Sequence, residues 1–546
     1  MIFIFLTISA FSQSTGFVEY DHPINKYFQR MNLIGVLDDF DSHQIPLSFR
    51  AVSKYLSEIE KNSDILNTED KEFLLEYLSE FSFIIKRDFI EYLSLVKKPA
   101  VNSLFSEKER FLHYEADSTG NGIFMNLLFD VAYSGEKHFD NKSGNVFSAK
   151  WGGKITGTYK DNFGFSFKAT NGTSFGNKYV LLRNPAYATN YKFNEVTNNS
   201  GSNYFDETEG YAAFSNDNIS IKIGRDKNHL GYGNVKTILG SSSLPMDYIG
   251  MNFIYSFFSF SYLHGKLLGS YNSSYDSLQG SIASVNEKYF AYHRFGFNLY
   301  KNVNLGIGES IIYSRRSMDI SYLNPFNFYK SVEHDNRDRD NSVLFIDLKA
   351  DIFKNFSLFA EYLIDDMDFS KIGTGWYGNK TLFNAGFRTI PFYKSFPADI
   401  TFQMIRIEPY VYAHRITDNN YTNFGLSLVH PLQPNSINYS INMYYPLSQK
   451  LNFEADFLYS IHGNNIYNEQ GGLANNFGGN INNGHRPGDS EKVNFLDGIK
   501  THSAFISFKA SYQPLRNYFC NFKIEYLRNE QKQKFIFTDL ELKVKI

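Results

Sequence analysis

Near residue 122 the spacing of apolar residues changes from a helical period to a period of two, and it stays there to Ile546. Segments such as "GIFMNLLFDVAYS", "FGFSFKATNG", "ISIKIGR", "VNLGIGESIIYS" and "SVLFIDLKADIFKN" set an apolar face against one carrying Ser, Asn, Lys, Asp or Gly. That alternation belongs to strands whose two faces meet different surroundings. No helical segments interleave, so a parallel βαβ sheet is not expected. The connections narrow the choice further. Short turns at 160–162, 216–218, 301–302, 354–355, 448–450 and 514–517 alternate with long polar segments at 172–208, 226–249, 268–287, 314–340, 366–378, 414–436 and 462–499. Strands joined alternately by tight turns and long loops describe an all-β transmembrane barrel with periplasmic turns and extracellular loops. Tracing the alternation over 122–546 predicts about 18 antiparallel strands, with both chain ends on the short-turn side.

Composition agrees with an outer-membrane location. The chain has 54 Phe and 39 Tyr but 2 Trp, and Tyr133, Tyr255, Phe257, Tyr300, Tyr444, Tyr445 and Tyr518 fall near strand ends, where aromatic girdles sit. A soluble β-sandwich or propeller is the alternative, but no blade-length repeat is visible. The net charge of −3 and pI near 6.5 leave no basic footprint for nucleic acid. A single cysteine, Cys520, excludes an intrachain disulfide and a multi-Cys zinc site. Residues 1–12 read as a signal peptide, with an apolar core from Ile2 to Ala10 and a small-x-small site before Gln13, although a basic leader is absent.

Residues 20–98 keep the helical rhythm. Ile24, Tyr27, Phe28 and Met31 fall at i, i+3, i+4, i+7, as do Val52, Tyr55, Leu56 and Ile59. A third stripe runs from Phe73 to Ile85 and opens at Thr68, with Glu69 and Asp70 in the first turn. This predicts a small α-helical bundle on the periplasmic side, placed to plug a lumen that would otherwise be an aqueous channel.

Several patches, in order along the chain, resemble the capsule assembly Wzi family of outer-membrane proteins. They are "HPINKYFQRMNLIG", "IPLSFRAVSKYLSEI", "IKIGRDKNHLGYGNVKTILGSSSLPMDYI", "YFAYHRFGFNLYKNVNLGIGESIIYS" and "YLNPFNFYKSVEHDNRDRDN". The likeness is weakest beyond about residue 366. The resemblance implies an 18-stranded barrel occluded by helices and loops. It implies a lectin-like role in attaching or organising capsular or surface polysaccharide, with outer-membrane lipid around it. It also points to polysaccharide export machinery as a partner and to a monomer. A solute channel is the alternative from another class.

Gly231-Tyr232-Gly233 invites a phosphate loop, but no helix follows it, so a turn folding back into the barrel mouth is expected. Arg225, Asp226, Lys227 and His229 then pair with one another or meet a ligand. His293 and Arg294 open a strand facing Glu309, which suggests a lumen-facing Arg294–Glu309 brace or a polysaccharide contact. Trp376, in a long loop, stacks on a sugar or anchors at the membrane interface. The loop 462–490 is rich in Asn and Gly with interspersed aromatics, suited to sugar hydroxyls and C–H faces or to a mobile surface. "EHDNRDRDN" (333–341) lacks the glycine and distal glutamate of a calcium loop and reads as solvated. No histidine has a metal partner at helical or hairpin spacing, so no metal and no cofactor is expected. The G-x-S-x-G match at 172–176 has no helix after the serine, so no catalytic residue is assigned.

Overall fold

The computed structural model describes residues 15–546 except 39, 86–92, 98–103, 118, 140–142, 196–200, 241–243, 279, 301 and 430–431. The expected signal peptide lies outside the described residues. Eighteen antiparallel strands close on themselves. They are β1 Gly122–His138, β2 Gly144–Tyr159, β3 Phe163–Gly176, β4 Ser202–Ser215, β5 Ile219–Asp226, β6 Met246–Tyr255, β7 Phe258–Asp276, β8 Gly280–Tyr300 and β9 Val303–Ser314. The circuit continues with β10 Asn341–Phe353, β11 Phe356–Asp366, β12 Lys380–Thr389, β13 Asp399–Ile407, β14 Ser436–Ser448, β15 Leu451–Asn464, β16 Ile499–Leu515, β17 Tyr518–Arg528 and β18 Lys534–Lys545. Closure runs from Phe535 opposite His138 to Lys545 opposite Leu128. A short strand, His113–Ala116, pairs with the lower part of β1 and leads the chain in from the helical region.

The two faces separate as a closed barrel in lipid requires. Phe165, Phe167, Ile346, Leu348, Phe508, Ile524 and Leu542 point outward and are exposed. Residues of opposite parity, among them Lys150, Lys168, Glu207, Asp347, Glu361 and Gln403, line the lumen. The expected short turns all lie at one end. Lys160 and Asp161 (φ 49° and 60°) make one of them, and Asn355 and Asn517 sit at φ 67° and 62° in two others, the left-handed conformation that hairpin turns use. One expectation is corrected. The polar segment 268–287 is not a loop: β7 and β8 run on through it as a long hairpin, with a bulge between Leu268 and Tyr271.

Helices α1 Ile24–Leu33, α2 Phe49–Lys61, α3 Thr68–Glu80 and α4 Ser82–Ile85 fill the short-turn end. Ser48 caps α2 and Asn67 caps α3, each accepting a backbone N–H of the first turn. Their apolar stripes meet in one core with Ile24, Phe28, Met31, Val52, Leu56, Ile59 and Leu74. Arg30 is buried and donates to Asp70 at 2.7 and 3.1 Å and to the Pro397 carbonyl of the wall at 2.7 Å. Lys26–Glu454 and Glu19–Lys154, both at 2.6 Å, and Arg516–Glu109 at 2.7 Å tie this N-terminal region to the barrel.

Candidate functional site

Chain segments enter the lumen from both ends, and the two meet inside it. From the short-turn end the segment after α1 carries Asp41 and His43 inward, and Gln44–Ile45 then pairs as a two-residue strand with His229–Leu230. His229 and Leu230 belong to the connection between β5 and β6, which descends from the long-loop end. The Gly231 N–H donates to the His43 carbonyl at 2.9 Å. The wall completes the junction. Arg294 on β8 donates to Asp347 at 2.8 and 2.6 Å, to Asn304 at 2.6 Å and to Asp41 at 3.1 Å. The Tyr232 hydroxyl donates to Asp41 at 2.9 Å.

Deeper along the same loop, Glu361 accepts from the Tyr232 N–H, the Thr237 hydroxyl and the Asn384 amide. Gln403 accepts from the Asn234 and Val235 N–H groups at 3.1 and 3.0 Å and donates to the Val235 carbonyl at 2.8 Å. These contacts explain the two glycines around Tyr232. Gly231 and Gly233 have φ of 108° and 73°, and a Cβ would lie 2.9 Å from Glu361 in the first case and 2.5 Å from Gln403 in the second. Tyr421 holds the far side of the loop by donating to the Ile238 carbonyl at 2.9 Å. On the other side of the barrel a cavity of about 1610 Å³ remains, lined by residues that include Lys150, Lys168, Glu207, Glu209, Glu454 and Lys543. Asn184, Tyr187 and Asn190 of the β3–β4 connection also line it, and Arg183 ties that connection to the wall, donating to Glu525 at 3.0 Å and to both oxygens of Asp539 at 2.7 Å.

The eight predicted site residues fall in five places. Arg225 is on the outward face at the top of β5 and pairs with Asp247 at 2.9 Å, both side chains largely exposed. Asp226 turns inward and pairs with Lys222. Lys227 lies over the Tyr20 ring at 5.5 Å and His229 packs against the same ring at 5.1 Å, so these three face the lumen and the N-terminal region. The expected Arg294–Glu309 brace is corrected. The register sets His293, not Arg294, opposite Glu309, and strand alternation sends Arg294 to the other face. His293 Nε2 is 3.3 Å from Glu309 on the outward side, where both are buried. Trp376 sits in the β11–β12 connection with Lys371 over its ring at 4.0 Å. Ser174 lies within β3 with no elbow after it.

No protein-family model matches the chain, and no curated protein matches it in sequence. Solved structures do match. Wzi of Escherichia coli, an outer-membrane protein involved in group 1 capsule assembly and a carbohydrate-binding β-barrel, aligns with a TM-score of 0.56 at 10% identity, over 97% of this chain and 99% of that one. The likeness is one of fold. The protein is an outer-membrane β-barrel. OccK8 (OprE) of Pseudomonas aeruginosa aligns at 0.44 and 10% identity over 78% of this chain and 98% of that one. OccAB2 of Acinetobacter baumannii aligns at 0.44 and 11% identity over 77% and 98%.

The short turns are therefore periplasmic and the long loops extracellular. On the extracellular side the β15–β16 loop packs against the β11–β12 and β13–β14 loops. Its amides mostly hold its own backbone: Asn465 accepts from the Phe477 and Gly479 N–H groups at 2.8 and 3.0 Å, and Asn476 donates to the Gly484 carbonyl at 2.9 Å. Tyr377 and His485 stack at 3.6 Å beneath Trp376. Asp41, Asn304, Asp347, Glu361 and Gln403, which form the junction, were missed in the sequence. Each is a single inward polar residue in an ordinary strand or turn, and the only signal was the glycine pair that Glu361 and Gln403 contact.

Two outcomes follow. Arg294→Met strands Asp347 in a buried site, so it is expected to cost about 3–5 kcal/mol. Urea unfolding of the purified barrel reads this, and a loss below about 1 kcal/mol contradicts the junction. The second concerns His43 and His229, which lie outside the spanning strands. Burial, with Arg294 and Lys236 near it, holds His43 well below the ordinary histidine range. Burial, with Lys236 and Lys227, pushes His229 down to about 3. Both are neutral when folded, while the unfolded chain takes up protons below about pH 6.5. Stability is thus full above that value and falls as the pH drops from about 6.5 toward 3. Unfolding midpoints across that range are expected to decline, and His229→Gln to flatten the decline.

Proposed function

We propose that this barrel binds or organises capsular or other extracellular polysaccharide at the cell surface, without catalysis. The observation that carries the reading is the junction of two chain segments inside the lumen. A barrel of eighteen strands can leave an aqueous channel, yet here a periplasmic loop and an extracellular loop meet inside it around buried charges. Such a junction narrows any path for solutes and holds the extracellular surface in a fixed arrangement. The likeness in fold to a carbohydrate-binding barrel supports the same reading.

The surface we assign to the glycan is the extracellular one around Trp376 and the β15–β16 loop. The Trp376 ring and Tyr467, which is exposed, offer faces for sugar C–H groups. Asn480 and Asn483 flank the Tyr467 hydroxyl and offer amides for sugar hydroxyls. We assign the other seven predicted residues to structure. The large charged cavity favours the alternative, a solute pathway.

Deletion of the gene is expected to shift polysaccharide from the cell-attached to the shed fraction, as read by staining, and unchanged retention refutes the function. Trp376→Ala is expected to weaken binding of the purified polysaccharide by about 1 kcal/mol, roughly fivefold, in a titration.

A further inference from the structure

The connection between β9 and β10, residues 315–340, does not stand up into the medium. It turns back and lies on the outward face of the wall. Strand parity decides the side: Arg294 and Asp347 reach the plug, while His293, Glu309 and Ser342 face away from it. The connection grips that outward face throughout. The Tyr262 hydroxyl donates to the Leu323 carbonyl at 3.0 Å, Phe326 stacks on Phe260 at 5.2 Å, and the Tyr329 and Lys330 N–H groups donate to Glu309 at 2.7 and 3.3 Å. Beneath it Tyr289, Ala291, Ile311 and Tyr313 are buried together with Tyr322 and Tyr329. This flap contains the helical turns Ile320–Leu323 and Tyr329–Asp335, and Asn327 donates to the Ser321 carbonyl at 2.7 Å.

Between Met318 and Phe328 the other surface of the flap exposes large apolar side chains, while the exposed charges Arg315, Asp335, Arg337, Asp338 and Arg339 lie at its two ends. Ile320 is 80% exposed, Phe326 70%, Phe328 53% and Met318 49%. A spanning barrel needs an outward apolar band about 25 Å tall, which tilted strands cover with roughly five outward positions each. Below the flap β9 supplies only Val303, Leu305 and Ile307 before the band meets Glu309. A carboxylate there would be unfavourable against lipid if it lay bare. The neighbouring strand β10 carries the band on through Leu344, Ile346 and Leu348. The flap fills the gap on β8 and β9, covers the His293–Glu309 pair and continues the apolar surface.

We propose that the β9–β10 flap is a membrane-embedded element. Met318, Ile320, Phe326 and Phe328 contact lipid acyl chains of the outer leaflet, in continuity with the lipid-facing strands.

The test uses the full chain with Cys520→Ser, in which Ile320→Cys and Phe328→Cys each carry an environment-sensitive fluorophore, reconstituted into phosphatidylcholine vesicles. Both side chains are more than half exposed, so labelling leaves the packing alone, and heat-modified gel mobility confirms each barrel is folded. Tyr467→Cys on the extracellular loop is the aqueous control. The expected result is blue-shifted emission at 320 and 328, lost when acyl-chain nitroxide lipids are included and insensitive to aqueous iodide, with the reverse at 467. Quenching by iodide at 320 and 328 overturns the proposal and makes the flap a water-facing surface. Insensitivity to both quenchers also overturns it and assigns the patch to a protein contact, including a second copy of this chain.

Discussion

Arg294 is the group on which the rest of the architecture depends. Its guanidinium is buried and meets three parts of the chain at once: Asp347 and Asn304 of the wall, Asp41 of the periplasmic plug, and Tyr232 of the descending extracellular loop. A charge this deep is tolerable only when its donors are all taken up. Each part therefore fixes the others. The wall alone cannot satisfy Arg294, and Asp41 has no reason to enter the lumen without it. His43 stays neutral although Asp347 is 3.5 Å away, because burial and the nearby charges of Arg294 and Lys236 oppose its protonation.

The wall solves a second problem by the same logic of covering. A barrel strand shows lipid one face and the lumen the other, so each polar outward residue needs a shield. Most strands avoid the problem by alternation alone. β8 and β9 do not, since His293 and Glu309 face outward, and there the 315–340 segment folds over them. Acidic residues that look solvated in sequence are used in this packing: Glu333 accepts from Ser342 and Lys330, and Asp340 pairs with Arg316 and the Tyr322 hydroxyl.

Much of this was legible in the residues. The change of period at about 122, the tight turns and the helical stripes of Ile24–Met31 and Val52–Ile59 depend on local spacing alone, and each appears where the spacing puts it. The glycines of "GYG" were rightly read as backbone-folding devices, for Glu361 and Gln403 leave no room for a Cβ. The failures share one cause: period-2 alternation tells that two faces differ but not what lies on each. Residues 268–287 looked like a loop because a hairpin projecting beyond the membrane is wet on both sides and shows no contrast. Arg294 and Glu309 looked like partners because they are near in sequence register, while a shift of one residue puts them on opposite sides of the wall. The flap was invisible because its covering role comes only from the register of β8 against β9.

The central claim is that the chain segments meeting inside the lumen occlude it. The most direct measurement is single-channel recording of the purified full-length barrel in planar lipid bilayers. The account predicts insertion without current steps at any applied voltage. Steady open-channel conductance in the unmodified protein would contradict it and would make the charged cavity beside the plug a solute pathway.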